Sequence, residues 1–491
     1  MNKKCVQLCL VLSGLFITAT HAYAAAKKEP IVMSLKDAVL LSLRDNPNIK
    51  QAEVTRISQK FAVIVAKNQF QPQYTFNATA QYNYGRSNGA YSISRTFGVS
   101  PSVSLENHYG TTFTASMTNP FGPNTSYNPT FTFQVVQPLI QGFGKPVVEA
   151  ALRNALDDEL INRLSFKNQA ITTITTTISD YLNVVSAYQQ LKIDYQTLYD
   201  NERTVKDDRI NIAAGKLAGS EIVQAQSAVA TAKAQIAADQ TSIKSATNTL
   251  LNDLGLPPET KIKPPDNFQF QDMIQLLTGG AELPDEKASR VVGVKNSITY
   301  QTQRITIRTL ERSLLVAKNS NEWQLNLTAE ESRGGGSGDS GGSAGIKSLY
   351  DSNTYSSQVG LALNIPIDNV NNQSAIVNAE VSLENAKIQL QEQYRQLIET
   401  INTDYFTLKN NYTQLLLSQN ALNLQKQTYN YSQQKYAAGL ISQTDLLTVQ
   451  DQLILDKQSL LSSEISYINS IASFEQDLGV SLEPWRVTVR Y

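Results

Sequence analysis

The chain has 491 residues, 42 basic and 43 acidic side chains, a formal charge of −1, two cysteines and two histidines. That balance lacks the basic excess that nucleic-acid binding calls for, and so few cysteines and histidines leave little for thiolate or multi-histidine metal sites. No apolar run approaches the ~20 residues of a transmembrane helix.

Residues 1–24 read as a cleavable signal peptide. Lys3 and Lys4 give the charged start, an apolar stretch runs from Val6 to Ile17, and Ala22-Tyr23-Ala24 supplies the small-residue cleavage site. Cleavage after Ala24 would discard Cys5, Cys9 and His21. The mature chain would then have no cysteine, and His108 would be its one histidine. An exported chain of this kind is either periplasmic or a membrane β-barrel.

The remainder is internally duplicated. Asp180-Tyr181 matches Asp404-Tyr405, Tyr188 matches Tyr412, Ala213-Ala214-Gly215 matches Ala437-Ala438-Gly439, and Asp253-Leu254-Gly255 matches Asp477-Leu478-Gly479, all at an offset of 224 positions. A constant offset over so long a stretch marks rigid elements without insertions. Upstream, Val65-Ala66-Lys67-Asn68 matches Val316-Ala317-Lys318-Asn319 at a different offset. The halves therefore differ by an insertion between these motifs. The spacing predicts repeat 1 over 25–256, a segment 257–296, repeat 2 over 297–479 and a tail 480–491.

After each Val-Ala-Lys-Asn the pattern switches to period two. Tyr74, Phe76, Ala78, Ala80, Tyr82 and Tyr84 alternate with Thr75, Asn77, Thr79, Gln81 and Asn83; Trp323, Leu325, Leu327 and Ala329 alternate with polar neighbours. Second strands follow at Phe131–Val135 and Val359–Ile365. Segments of this length, apolar on one face and polar on the other, suit transmembrane β-strands, although a half-buried strand of a soluble sandwich alternates in the same way. The export signal and the aromatic strand ends at Tyr82, Tyr84 and Trp323 favour the membrane. Four such strands cannot close a barrel alone, and an open edge is forbidden in lipid. The subunits must therefore share one barrel. A further alternating hairpin, 97–119 (Val99, Val103, Leu105; Phe113, Ala115, Met117), fits either an extracellular flap or extra barrel strands; the flap is favoured, because repeat 2 lacks it. The Gly/Ser-rich loop 333–346 is placed outside the cell.

Helical periodicity predicts long helices over 147–213 and 371–437 and shorter ones over 220–254 and 444–478. In the second long helix Leu383, Ala386, Leu390, Tyr394, Leu397, Ile401, Tyr405, Leu408, Tyr412 and Leu415 step by threes and fours. Each long helix would run ~100 Å, which demands partner helices, as in a coiled coil. Gly215 and Gly439 fit C-caps at the tips of two helical hairpins.

The order helix, strand, strand, long helix, shorter helix, repeated, resembles the TolC family of outer membrane efflux proteins. The resemblance is carried by Leu35-Lys36-Asp37-Ala38 with Asn46-Pro47, by Gln137-Pro138-Leu139 with Gly142-Phe143-Gly144, and by the paired tips Ala214-Gly215…Glu221 and Ala438-Gly439…Asp445. It implies an α+β membrane protein: a trimer with a 12-stranded β-barrel, four strands per chain, continued by a long α-helical coiled-coil periplasmic barrel. It also implies a passive exit duct of a tripartite efflux pump or type I secretion system, partnered by a periplasmic adaptor (membrane fusion) protein, an inner-membrane transporter and outer-membrane lipid. Segments 28–45, 257–295 and 481–491 would form an equatorial belt. Glu221 and Asp445 would ring a cation-favouring constriction at the periplasmic tip, while Gly215, Lys216, Gly439 and Ser442 would form the tip turns and adaptor contact. Asp445 also fits plain helix capping, through Ser442-x-x-Asp445. Some members carry a second acid and a basic tip residue where this chain has Thr448 and Ile441.

Gly142-Phe143-Gly144-Lys145 lacks the spacing of a phosphate loop. Asp157-Asp158-Glu159 and Asp207-Asp208 read as solvated helix faces, and His108 as a loop residue. No catalytic constellation is visible, and neither a cofactor nor a metal is implied. The other reading is a soluble periplasmic coiled-coil structural or adaptor-like protein; adaptors carry one hairpin, and this chain carries two.

Overall fold

The computed structural model describes residues 30–87, 89–121, 127–215, 218–278, 285–334, 346–351, 354–367 and 369–487. The expected signal peptide, Lys216 and most of the loop 333–346 lie outside the described residues. In chain order the elements are β1 (Ile31–Val32), α1 (Leu35–Asp45), α2 (Pro47–Asn68), β2 (Gln73–Ser87), β3 (Ala90–Glu106), β4 (Thr112–Phe121), β5 (Thr130–Pro138), α3 (Lys145–Val148), α4 (Ala150–Ala213), α5 (Glu221–Asp253) and β6 (Ile262–Lys263). Then follow α6 (Phe270–Thr278), α7 (Glu286–Asn296), α8 (Ile298–Ser320), β7 (Gln324–Gly334), β8 (Tyr355–Asn364), α9 (Val370–Ala437) and α10 (Gln443–Leu478).

The hairpin helices α4, α5, α9 and α10 contain no breakers and are followed by glycines in left-handed turns, Gly215, Gly255, Gly439 and Gly479. Neither α4 nor α9 contains Pro or Gly, and at ~1.5 Å per residue each runs ~100 Å. Ser34 starts α1 with a capping box: its hydroxyl accepts from the Asp37 N–H at 3.2 Å, and the Asp37 carboxylate accepts from the Ser34 N–H at 3.3 Å. Asn46 then caps α2, where Pro47 at the first position sacrifices no hydrogen bond. In α9 the buried residues Ile401, Leu408, Leu415, Leu422 and Tyr429 recur every seven residues; in α10, Leu446, Leu453, Tyr467 and Phe474 fall on the same heptad spacing. The two helices pack along these apolar seams as an antiparallel coiled coil.

Among the described residues, six of the eight strands form one antiparallel sheet, in the order β2-β3-β4-β5-β7-β8. This corrects the expectation of four strands per chain with hairpin 97–119 as a flap. β3 pairs with β2 from Gln73↔Ser104 to Ser87↔Ala90 and with β4 from Phe97↔Phe121 to Glu106↔Thr112, while β4 pairs with β5. The symmetry argument failed because the first repeat has gained a strand pair inside the sheet rather than outside it. The register carries one apolar face across the strands: Tyr74, Phe76 and Ala78 lie opposite Val103, Pro101 and Val99, and Phe113 opposite Leu105 and Val135. In repeat 2 Leu327 lies opposite Leu361 and Ala329 opposite Val359. The other face is polar, with Ser104, Thr114, Gln134, Glu330 and Gln358 in one cross-strand row. This is the alternation a barrel needs between lipid and water. Among the described residues no helix is long and apolar enough to cross a membrane.

The main core sits midway along the helices. Ile171, Ile174, Ile178, Tyr181 and Leu182 of α4 pack with Val39 of α1, Leu250 and Leu251 of α5, Ile468 and Ile471 of α10, and Trp485 of the tail. Tyr181 donates to the Met33 carbonyl at 2.9 Å, and β1 pairs parallel with β6. The N-terminal segment, the segment after α5 and the tail are thereby tied to the middle of the bundle.

The duplicated aspartates meet here. Asp180 lies beside Asp253 in repeat 1, and Asp477 beside Asp404 in repeat 2. Two carboxyls at one buried site cannot both ionise cheaply, so burial first, and the partner second, raise Asp180 and Asp477. Burial also lifts Glu464 to about 7 and Glu475 to about 8. These folded-state values lie above the ordinary carboxyl range, so the native state binds protons that the unfolded chain releases. The stability they confer is complete below the unfolded pKa of 4.5 and is lost as pH rises through 7 to 8. The thermal midpoint of the detergent-solubilised protein is therefore expected to be higher at pH 5.5 than at pH 8.5, by at least ~3 °C. Glu475→Gln should shrink that difference in a calorimetric scan; an unchanged difference would refute the assignment.

Candidate functional site

Two tips close the far end of the helical hairpins. Helix α4 runs into Gly215 at φ 70° and α9 into Gly439 at φ 73°, left-handed turns that favour glycine. The Leu440 N–H returns to the Lys435 carbonyl at 2.9 Å and the Gly439 N–H to the Tyr436 carbonyl at 2.9 Å, satisfying the last carbonyls of α9. The two re-entry points differ. Ser442 begins α10 with a full capping box: its hydroxyl accepts from the Asp445 N–H at 3.1 Å, and the Asp445 carboxylate accepts from the Ser442 N–H at 3.1 Å and hydroxyl at 2.7 Å. The hydroxyl and then the backbone hold the Asp445 carboxyl below the usual range. At the first tip Ser220 makes no side-chain cap, and Glu221 opens α5. Gly215, Gly439, Glu221, Ser442 and Asp445 thus all lie at one end of the molecule.

Sequence reasoning missed what joins the two hairpins there. Asp208, expected on a solvated face with Asp207, is fully buried (0 % exposed) while Asp207 remains half-exposed. The Tyr436 hydroxyl donates to Asp208 Oδ1 at 2.8 Å, and Gln443 Nε2 donates to Oδ2 at 2.7 Å. One heptad away Gln450 Nε2 donates to Asn201 Oδ1 at 2.8 Å. Burial raises the Asp208 carboxyl; the Tyr436 and Gln443 donors oppose that, and the charges of Asp207 and Glu221 add to it.

The seam between α4 and α10 is therefore polar: Asn201 and Asp208 lie seven residues apart on α4, and Gln443 and Gln450 seven apart on α10. The seam inside the second hairpin is apolar by contrast, with Leu422, Tyr429, Leu446 and Leu453. Water can replace the partners of the first seam but not of the second. The heptad spacing of polar residues was the signal available in the sequence.

The Asp157-Asp158-Glu159 run also needs correction. Asp158 is exposed, but Glu159 is buried against Arg56 of α2, whose guanidinium donates to both carboxylate oxygens at 2.6 and 2.8 Å. Arg163 adds a third bond at 3.0 Å. Arg56 first, then Arg163, hold Glu159 down at about 2. Asp157 pairs with Arg308 at 2.9 Å and with Arg312 of α8. These acids clamp the helices that carry the sheet. They were misread because a charge on a helix surface looks solvated until a neighbouring helix is placed. His108 does lie in a loop, 107–111, stacked on Phe70 at 4.4 Å.

The model of the family described as outer membrane efflux protein matches residues 39–256 and 323–480. No curated protein matches the chain. Among solved structures it is similar to the CmeC outer membrane channel of Campylobacter jejuni (14 % identity, TM-score 0.67, covering 91 % of this chain and 86 % of that one). It is similar too to the outer membrane protein VceC of Vibrio cholerae (14 %, 0.67, 91 % and 96 %) and to the open state of the MtrE outer membrane channel of Neisseria gonorrhoeae (14 %, 0.67, 92 % and 90 %). At such identities the likeness speaks for the fold.

Proposed function

The chain belongs to the outer membrane efflux protein family, and on that premise we propose that it is one subunit of a trimeric exit duct gated at the polar seam of its hairpin tips. It is an outer-membrane efflux channel that extends into the periplasm, and a transporter rather than an enzyme. The soluble adaptor reading is set aside by the family match. The duct is passive: an inner-membrane transporter supplies the energy, and a periplasmic adaptor engages the tips around Gly215, Lys216, Gly439 and Ser442.

The observation that carries the gate is the buried Asp208 carboxylate, bonded to Tyr436 and Gln443 across the two hairpins. With the seam closed these bonds hold the second hairpin inward. An adaptor that pulls the hairpins apart exchanges them for bonds to water, while the apolar seam keeps α9 and α10 together as they swing. Three copies each of Glu221 and Asp445 would surround the narrow end, and like charges focused in a pore favour cations.

In planar bilayers the purified protein should form cation-preferring channels of low conductance. Asp445→Asn removes the charge while keeping a side chain that can cap the helix, and should lower cation preference with little loss of stability. Reversal potentials in a salt gradient report the outcome: unchanged selectivity would leave Asp445 as a cap alone, and a water-soluble monomer without channel activity would end the channel proposal.

A further inference from the structure

We infer that the assembled channel closes an 18-stranded barrel, six strands from each of three copies, with β2 of one copy paired to β8 of the next. The inference rests on the trimeric channel proposed above and goes further, in naming the surfaces that join and the bore they enclose.

Both edges of the sheet suit this pairing. Helix α2 delivers the chain into β2, and β8 returns it towards α9, so the first strand runs away from the helices and the last runs back. Placed side by side in neighbouring copies, β2 and β8 are antiparallel, as every other pair in the sheet is. Among the described residues each edge has a row of backbone N–H and C=O groups without a neighbouring strand, and lipid offers no partners. The apolar face reaches both edges, through Tyr74, Phe76 and Tyr82 on β2 and Val359, Leu361 and Leu363 on β8, all exposed.

The alternative is that the hairpin β2–β3 leaves the sheet and four strands per copy close the wall. The alternation speaks against it. On β3 Val99, Val103 and Leu105 continue the apolar face while Ser100, Ser102 and Ser104 continue the polar one. A flap in water gains nothing from one apolar face, whereas a wall strand requires it. Departure would also strip β4 of its pairing from Phe97↔Phe121 to Glu106↔Thr112 and create a new open edge.

The hairpin also rises past its neighbours. β4 ends at Phe121, opposite Phe97, and β2 and β3 continue to Ser87 and Ala90. On this extension Arg86 lies 5.0 Å over the Tyr91 ring and Arg95 5.7 Å over Tyr82, which suits the boundary between lipid and headgroups. Barrel diameter grows roughly linearly with strand number, so this wall is roughly half again as wide as a 12-stranded one. The narrow point of the duct is then the tip alone.

Cysteine cross-linking in isolated outer membranes tests the pairing, since the chain past Cys9 has no cysteine of its own. Thr75→Cys or Thr79→Cys on β2 is combined with Gln358→Cys, Gly360→Cys or Ala362→Cys on β8, covering several registers. A second set places Thr114→Cys or Ser116→Cys on β4 against the same β8 positions. Oxidation is expected to yield disulfide-linked dimers and trimers on denaturing gels for the first set only. Cross-links from β4 to β8, or none from either set in protein that still forms trimers, would overturn the 18-stranded wall and leave the channel itself standing. Monomer in the soluble fraction would instead refute the channel.

Discussion

Removing both donors to Asp208, in the variant Tyr436→Phe/Gln443→Ala, is expected to hold the tip open. The carboxylate is fully buried, and the Tyr436 and Gln443 bonds of 2.8 and 2.7 Å are what tie it to the second hairpin. Each bond to a charged acceptor contributes ~1.5–3 kcal/mol, and a buried charge left without donors costs more than the lost bonds. Parting the hairpins returns that carboxylate to water, so the open state gains by roughly 3 kcal/mol per copy, about a hundredfold in the equilibrium. Single-channel conductance should rise several-fold, and cells carrying the variant should become sensitive to large antibiotics normally held outside. Adding Asp208→Ala to the double variant should bring conductance back towards the original value, because no buried charge then remains to drive opening. Should the triple variant stay as open as the double, the seam holds the tip by something other than this carboxylate.

The second large effect concerns stability. Arg56→Ala is expected to cost ~3–5 kcal/mol per copy, because it strands Glu159 in the interface between α2 and α4. Arg56 is 6 % exposed and Glu159 8 %, so solvent screens the pair little. Arg163 retains one bond to Glu159, which places the loss towards the lower end of that range. The combined change Arg56→Met/Glu159→Leu should recover most of it, since two apolar side chains pack where two charges were paired. A thermal scan in detergent would measure both variants. A single variant as stable as the original would mean that Glu159 finds other solvation. The pH signature differs from that of the raised acids: Glu159 is held down at about 2, so its contribution is full above 4.5 and fades only as pH falls through 2.

The sequence by itself determined the repeat, the helices and the sided strands. Each of these is written in a local period: seven-residue steps in α9, alternation in β2 and β7, and glycine at the left-handed turns 215 and 439. Local periods follow from backbone geometry, and backbone geometry does not wait for a neighbour. The tips were legible for the same reason, since Ser442 and Asp445 cap their own helix. The tertiary structure alone decided which polar residues are buried and how many strands share the sheet. Asp208 and Glu159 look like any acid on a helix surface until α10 and α2 cover them. The duplication argued for placing the hairpin 97–119 outside the sheet, and the hydrogen bonds to β2 and β5 place its strands within it. Burial and strand pairing are properties of two segments far apart in the chain, and one segment's pattern specifies a face without naming the partner that covers it.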